Sequence, residues 1–467
     1  METFDIAVIG AGPGGYPAAI RAAQLGAKTA IIEREQLGGT CLNWGCIPTK
    51  TLVAAAGVFA SLPDAEKIGV KAGKATVDFS AMMAHKGKVV TQLKDGVGQL
   101  LKANGVTVFT GTASFESRNK IRIARTDAQS KPTTISAAKT IIATGSTSIM
   151  PSFLPKSKAI VESRGFLEMD KLPGELIVLG GGYIGCELAC MAAQLGVKVT
   201  VVELLEDILL LLDRDLRAEV RAGMEKLGIK IMTGKAMSGV EMKGSKVNCK
   251  VGDETVSGDC LLVSVGRRPV TDGLELDKAG LKTNDKGFIE VDECGRTAAA
   301  SIYAIGDVTG RIQLAHAATS HGLIAAGDAC GRPAGKFERI TPAVIFTTPE
   351  VATVGITEQE AAAAGQTVKT GKFTFRGLGR AVAAGHTEGF AKWIADENGE
   401  RLLGAAIVGA HATDLIAEAG LAIRNELTVN EIGRTIHAHP TFAEVWMEAA
   451  HAVHGEAIHA APRKKKA

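Results

Sequence analysis

One unit occurs twice in this chain, 170 positions apart, and it narrows the available folds more than any other feature. In the first copy an apolar run, Phe4-Asp5-Ile6-Ala7-Val8-Ile9, meets Gly10-Ala11-Gly12-Pro13-Gly14-Gly15. A helical pattern follows from Tyr16 to Leu25, Gly26 ends it, and a second strand-like run from Lys28 to Ile32 closes on Glu33. The second copy has Leu176 to Leu179, then Gly180-Gly181-Gly182-Tyr183-Ile184-Gly185, a helix to Leu195-Gly196, and a strand closing on Glu203. In both, the acid stands 23 positions after the first glycine, and Ala22-Ala23-Gln24-Leu25-Gly26 matches Ala192-Ala193-Gln194-Leu195-Gly196. In such a unit the first glycine takes the tight turn and the second lets a pyrophosphate approach the backbone. The third lets helix and strand pack closely, and the acid takes a ribose hydroxyl. A lone glycine motif carries little weight. Repeated in register, it predicts an α/β protein with two Rossmann-like dinucleotide-binding domains.

The rest of the chain extends this frame. At 467 residues it is too long for one core. Residues 62–135 read as a long helical region followed by short strands. Thr140 to Ser146 is a buried strand ending in a small-residue turn, and Val263 to Pro269 is another strand running into a turn. Ser301 to Val308 ends a strand in Gly306-Asp307, and Leu314 to Ala318 opens a small-residue helix. From Thr341 strand-like pieces alternate with turns and then helices, the texture of a separate α+β domain. The expected boundaries are 1–148 for the first domain, 149–272 for the second, 273–340 for a return to the first, 341–460 for the α+β domain and 461–467 for a basic tail.

Net charge is +3, and Arg463-Lys464-Lys465-Lys466 supplies part of it. Without that tail the balance is near neutral, which argues against a nucleic-acid partner. No uninterrupted apolar run reaches membrane-spanning length, so no membrane role is expected. No signal peptide or Arg-rich presequence precedes the first strand, so the expected location is a bacterial cytoplasm, or a mature mitochondrial form.

Eight cysteines are scattered too thinly for a disulfide framework. Cys41 and Cys46, in Cys41-Leu42-Asn43-Trp44-Gly45-Cys46-Ile47-Pro48-Thr49-Lys50, form a close pair ahead of an expected helix start. Such a pair binds metal, staples a loop, or cycles between dithiol and disulfide. Zinc wants four ligands, typically two close pairs. The other close pair, Cys186 and Cys190, sits on an expected buried helix and reads as packing. A structural disulfide is disfavoured inside a cell, so redox cycling is the strongest reading. Exchange also needs a base, and His437-Ala438-His439-Pro440-Thr441-Phe442-Ala443-Glu444 offers His439 with Glu444 to orient it. His451, His454 and His459 form a weaker candidate for a metal site, against a plain polar helix face.

Collectively these residues resemble the pyridine nucleotide–disulfide oxidoreductases. The likeness covers nearly the whole chain: both glycine units, Gly38-Gly39-Thr40 leading into the thiol pair, Ala143-Thr144-Gly145, Gly266-Arg267-Arg268-Pro269, Ala304-Ile305-Gly306-Asp307, and His439-Pro440 with Glu444. The resemblance implies FAD on the first unit through Gly10, Gly12, Gly15 and Glu33, with Lys50, Ala113, Thr144, Gly145, Asp307 and Ala315. It implies NAD on the second through Gly180, Gly182, Gly185, Glu203 and Gly266. Tyr183 is then a gate over the flavin, and Glu187 the partner of Lys50. Cys41 becomes the interchange sulfur and Cys46 the flavin-facing one. The C-terminal α+β domain becomes a dimerisation domain, whose His439 and Glu444 serve the dithiol of the other subunit in a homodimer. Within the family the likeness is to the branch that oxidises dihydrolipoamide. Its partners are lipoylated acyltransferases or glycine cleavage carrier proteins.

Sister branches fit less well. Glutathione reductases use NADPH, whose 2′-phosphate needs cations, whereas the second unit ends in Glu203-Leu204-Leu205-Glu206. Mercuric reductases and large thioredoxin reductases carry a C-terminal cysteine pair, and no cysteine follows Cys330. A flavoprotein kept only for binding has no need of both thiols together with His439 and Glu444. One departure stands out: Trp44 occupies a position where relatives often have a small aliphatic residue, and its indole is expected near the flavin.

Overall fold

The computed structural model describes residues 1–71, 73–125, 131–338 and 340–461. The basic residues Arg463 to Lys466 lie outside them. Three sheets organise the chain. The first has a parallel centre in which Glu2–Ile9 lies between Thr29–Glu33 and Thr133–Ile142, with Thr107–Ser117 beyond the former and Ile302–Ala304 beyond the latter. Lys120–Arg125 pairs antiparallel with both of its sequence neighbours and closes that side. The strands Ile6 to Ile9 and Thr29 to Ile32 are buried on both faces, which is why they read as near-continuous apolar runs. Ile302–Ala304 brings the chain back to the first sheet after the second domain is complete.

The second sheet is wholly parallel, in the order Lys230–Met232, Lys198–Val202, Glu175–Leu179, Cys260–Val263, Ile160–Glu162. In both sheets the strand entering the glycine turn is central, and the strand ending in the acid lies beside it. Ser146–Ser148 pairs antiparallel with Arg267–Pro269, so the two crossings between the domains are tied to each other.

The third sheet is antiparallel, in the order Ala343–Ile345, Val351–Gly355, Leu402–Gly409, Gly389–Ala395, Lys369–Thr374. Helices Ala412–Arg424, Val429–Arg434 and Glu444–Val453 pack on it. At its core Trp393 and Trp446 are fully buried with ring centroids 4.7 Å apart. Each indole N–H is satisfied, Trp393 by the Trp446 carbonyl and Trp446 by the Leu415 carbonyl, as buried indoles require.

The thiol segment is helical on both sides of Gly45. Gly39–Trp44 forms a short helix, and Cys46–Lys67 a long one. Pro48 sits in the first turn of the latter, where its missing N–H leaves no helical bond unmade. By length and composition alone, Gly39–Lys67 would pass for a membrane span. Here it buries Pro48, Thr49, Leu52 and Ala56, and packs against Tyr183–Gln194 of the second domain.

Candidate active site

Both glycine turns have the form that dinucleotides require. Gly10 and Gly180 have φ of +99° and +108°, and a Cβ at either would collide with a carbonyl, that of Ala143 or of Ser264. Gly15 and Gly185 are equally closed, each pressed on the carbonyl of the first glycine of its own turn. Gly12 and Gly182 are open, with nothing within 4 Å of a Cβ. Each turn is therefore packed tight at two glycines and bare at the third, in front of the helices Gly15–Gln24 and Tyr183–Gln194. A pyrophosphate fits at that bare point, at the positive end of the helix that follows.

The acids are bound alike. Glu33 accepts from the N–H groups of Ala11 and Glu35, each at 2.8 Å. Glu203 accepts from Gly181 at 2.6 Å and Leu205 at 2.8 Å. Both carboxylates keep lone pairs for ribose hydroxyls. A cleft of about 530 Å³ lies beside Glu33, lined among others by Glu35, Leu37, Lys94 and Thr110.

Around the junction of the two domains several of the remaining expected contacts meet. Thr144 donates to the Val270 carbonyl at 2.7 Å, and Gly145 turns the chain at φ +70°. Asp307 accepts from Ser146 at 2.5 Å. Arg267 reaches the Ser146 hydroxyl and carbonyl, both at 2.7 Å. Gly266, with φ +131°, precedes that arginine. Ala315 opens the helix Ala315–Ala329. Tyr183 is part-exposed and lies in the field of Arg267, Asp307 and Glu187. Ala113 is buried on Thr107–Ser117, its side chain in the core, so only its backbone is left for a ligand.

Lys50 and Glu187 join the domains. The ammonium lies 2.8 and 3.0 Å from the two carboxylate oxygens, and Glu187 is 4% exposed. Glu187 also accepts from the Phe346 N–H at 2.9 Å, and Lys50 stands 4.6 Å over the Phe346 ring. Phe346 therefore belongs to the site, although nothing in its surrounding sequence signals it. Ser146 and Arg267 were also missed as site residues; the Gly266-Arg267-Arg268-Pro269 turn pointed to their neighbourhood.

Cys41 and Cys46 are joined as a disulfide, with Cα atoms 4.7 Å apart. Cys46 is the first residue of the 22-residue helix Cys46–Lys67. A helix start stabilises a thiolate, and the long helix gives one released at Cys46 that support. The Trp44 indole between them stacks 3.9 Å from the Arg164 guanidinium, which also holds Glu35 at 2.9 Å. Arg164 lies on the helix Ser163–Leu167 of the second domain.

His439 and Glu444 form a pair: Nδ1 lies 2.8 Å from one carboxylate oxygen, and the Thr441 N–H donates to the other at 2.8 Å. Burial alone would raise the Glu444 carboxyl; the Thr441 N–H and the His439 ring outweigh it and hold the group below its ordinary value. The His439 side chain is 75% exposed on a single chain. Its outward nitrogen is available to a group brought from outside.

The competing readings of other residues resolve on geometry. Cys186 and Cys190 are buried in the second core, and burial pushes the Cys190 thiol up to about 12, so both are packing residues. His451, His454 and His459 do not assemble; His459 pairs with Glu448 at 2.6 Å. Among the described residues, the one acidic group with metal-like spacing, Asp213, Asp215 and Glu358, surrounds the Lys392 ammonium.

Residues 4–322 match the model of the pyridine nucleotide-disulphide oxidoreductases, and residues 341–450 match that family's dimerisation domain. The chain belongs to this family. Like other pyridine nucleotide-disulphide oxidoreductases it is an oxidoreductase, and its C-terminal domain is built to pair with a second copy. It is 42% identical over 467 residues to a dihydrolipoyl dehydrogenase of Chlamydia muridarum, covering 99% of this chain and 100% of that one. It is 44% identical to a dihydrolipoyl dehydrogenase of Haloferax volcanii, covering 97% of each. Among solved structures, LpdA of Mycobacterium tuberculosis superposes with a TM-score of 0.89 at 28% identity, covering 96% of this chain and 99% of that one. The HOCl-induced flavoprotein disulfide reductase RclA of Escherichia coli, in its Cu(II) complex, gives 0.88 at 28% identity, covering 96% and 99%.

Proposed function

We propose that the chain is a dihydrolipoyl dehydrogenase, which oxidises protein-bound dihydrolipoamide to lipoamide with NAD+ through the Cys41–Cys46 disulfide and FAD. The observation that carries this reading is the conjunction of that disulfide with an outward-facing His439–Glu444 pair on a dimerisation domain. Near-complete coverage of relatives bearing that name supports it.

His439 takes the proton from one thiol of the substrate, and Glu444 stabilises the imidazolium. The resulting thiolate attacks the sulfur of Cys41. The Cys41–Cys46 bond breaks, and Cys46 departs as a thiolate at its helix start. The second substrate thiol attacks the mixed disulfide at the substrate's own sulfur and its proton passes to the departing Cys41 sulfur, while His439 keeps the first proton. Lipoamide leaves oxidised, and the two cysteines remain as a reduced dithiol. A bound FAD, held by Gly10, Gly12, Gly15 and Glu33, would take up that electron pair, and NAD+, held by Gly180, Gly182, Gly185 and Glu203, would accept it as hydride. Lys50, fixed by Glu187, would offer a positive charge to the reduced flavin. Glu203, a carboxylate where a 2′-phosphate would lie, selects NAD over NADP. His439 serves the disulfide of the partner subunit, so a monomer holds no complete site. The partners are lipoylated acyltransferases or the glycine cleavage carrier.

A substrate panel tests this. The purified flavoprotein is assayed with dihydrolipoamide and NAD+ or NADP+, and with glutathione disulfide and NADPH. Reduction of NAD+ by dihydrolipoamide is expected. Turnover of glutathione disulfide with NADPH, without the former reaction, would overturn the reading.

A further inference from the structure

Two positions before His439 stands a second histidine–carboxylate pair that the reaction does not use. His437 Nε2 lies 2.7 Å from Glu418 Oε1, and Nδ1 lies 2.9 Å from the Thr435 carbonyl oxygen. Both partners only accept hydrogen bonds. A neutral imidazole carries one N–H and would turn a lone pair on one of these oxygens. Only the doubly protonated ring satisfies both. The side chain is 5% exposed, so water does not substitute for either partner. The pull of Glu418 raises the ring's proton affinity against the cost of burial, with smaller help from Thr435 and Glu444.

The charged neighbours come from two helices. Glu418 belongs to Ala412–Arg424, and Glu444 opens Glu444–Val453; the Thr435 carbonyl follows Val429–Arg434, and His439 itself lies on the same segment. Glu444, the carboxylate that holds His439, feels the charge of His437 as well as that of His439.

We propose that His437 is held as an imidazolium cation and acts as a positioning residue, its fixed charge opposing the pull of Glu444 on a proton at His439. This rests on the reading of His439 as the base. A base that already holds a proton accepts none, and an unopposed Glu444 favours the protonated ring. A cation beside Glu444 weakens that preference without breaking the hydrogen bond that orients His439. The tandem arrangement thus divides two tasks, orientation by Glu444 and charge balance by His437.

The test uses the flavin-loaded dimer. His437→Gln removes the charge and keeps a donor for Glu418. The acid limb of kcat/KM for dihydrolipoamide is expected to move to higher pH by about half to one unit, the size of one charge acting across a partly solvated gap. His437→Arg, always charged, is expected to return the limb towards its original position. A purely structural role would lower activity at every pH alike. Independently of turnover, ¹⁵N spectra of histidine-labelled protein at pH 7.5 should show both His437 ring nitrogens protonated. A neutral tautomer overturns the proposal, and so does an unmoved limb in a His437→Gln protein that keeps its flavin and its dimer. Absence of dihydrolipoamide activity in the unsubstituted protein would overturn the functional reading instead, and the ring spectrum would still decide the charge.

Discussion

Lys392 is among the most deeply buried charges of the described residues, and its removal has a calculable consequence. It is 1% exposed on the strand Gly389–Ala395. Its ammonium lies 3.0 Å from Asp213, 2.9 Å from Asp215 and 2.5 Å from Glu358. Asp213 and Asp215 flank the start of Arg214–Lys226 in the second domain, so the cluster pins that domain to the dimerisation domain. Lys392→Met leaves carboxylates facing a void charge. Breaking a buried ion pair from one side costs about 3–5 kcal/mol. The lower end applies here, because Asp215 and Glu358 are 34% and 42% exposed and regain water, and the Glu358 and Gln359 N–H groups still hold Asp213. Burial opposes the charge on Lys392, yet the three carboxylates outweigh it and hold the ammonium above its ordinary 10.5. Burial likewise opposes the charge on Asp215, and Lys392 with Lys372 outweigh it, holding the carboxyl below its ordinary 3.8. The stabilisation from Asp215 is therefore present above its unfolded value and lost as pH falls through the lowered one. That from Lys392 is present below 10.5 and lost as pH rises through the raised one. Between these limits the variant should be less stable by about 3 kcal/mol. Below about pH 5 the loss should shrink, as carboxylates without their ammonium take up protons. Urea unfolding followed by tryptophan fluorescence reads this domain directly in a Trp44→Phe background, because the other two tryptophans, Trp393 and Trp446, lie in its core. A loss below about 1 kcal/mol at pH 7.5, or one that grows on acidification, would refute the reasoning.

Other outcomes follow from the same geometry. Gly12→Ala meets no neighbour, so the fold should survive while flavin content falls; Gly15→Ala collides with the Gly10 carbonyl and should impair folding itself. Flavin absorbance and thermal unfolding, measured together, separate the two. Glu203→Ala removes the acceptor of two N–H groups and of the ribose, and should weaken NAD+ binding by about 10- to 100-fold, the worth of a charged hydrogen bond. Calorimetric titration with NAD+ checks it. Glu444→Gln should lower kcat with dihydrolipoamide by about 10²–10⁴-fold while leaving the disulfide reducible by NADH, as stopped-flow absorbance would show. Trp44→Val forfeits the stack on Arg164 and should loosen the seam between the domains by about 0.5–2 kcal/mol, visible as faster hydrogen exchange in Ser163–Leu167.

Much of the site was legible because its parts are local. Each glycine turn and its acid lie within 24 residues, and strand, turn and helix chemistry set their geometry with little help from the rest of the chain. The same holds for His439 and Glu444, five positions apart on the approach to one helix, and for Cys41 and Cys46 around Gly45. The third sheet was visible as alternating strands, apart from the short edge strand Ala343–Ile345. The Trp44 indole stacks on Arg164, 120 positions away, a partner that no local pattern signals.

The residues that tertiary structure alone decided are those whose partners are distant. Lys50 lies over Phe346, Arg267 meets Ser146, and Lys392 meets three acids more than 30 positions away. No periodicity links such residues, since a charge that docking will bury looks in sequence like one facing solvent. The physical reason is that domain packing removes water from both partners at once, and each charge acquires its strength only in that shared low-dielectric space. His437 shows the boundary between the two kinds of information. The sequence places it beside the base, but its charge depends on Glu418, reached across 19 positions, and on the burial that leaves both ring nitrogens facing acceptors.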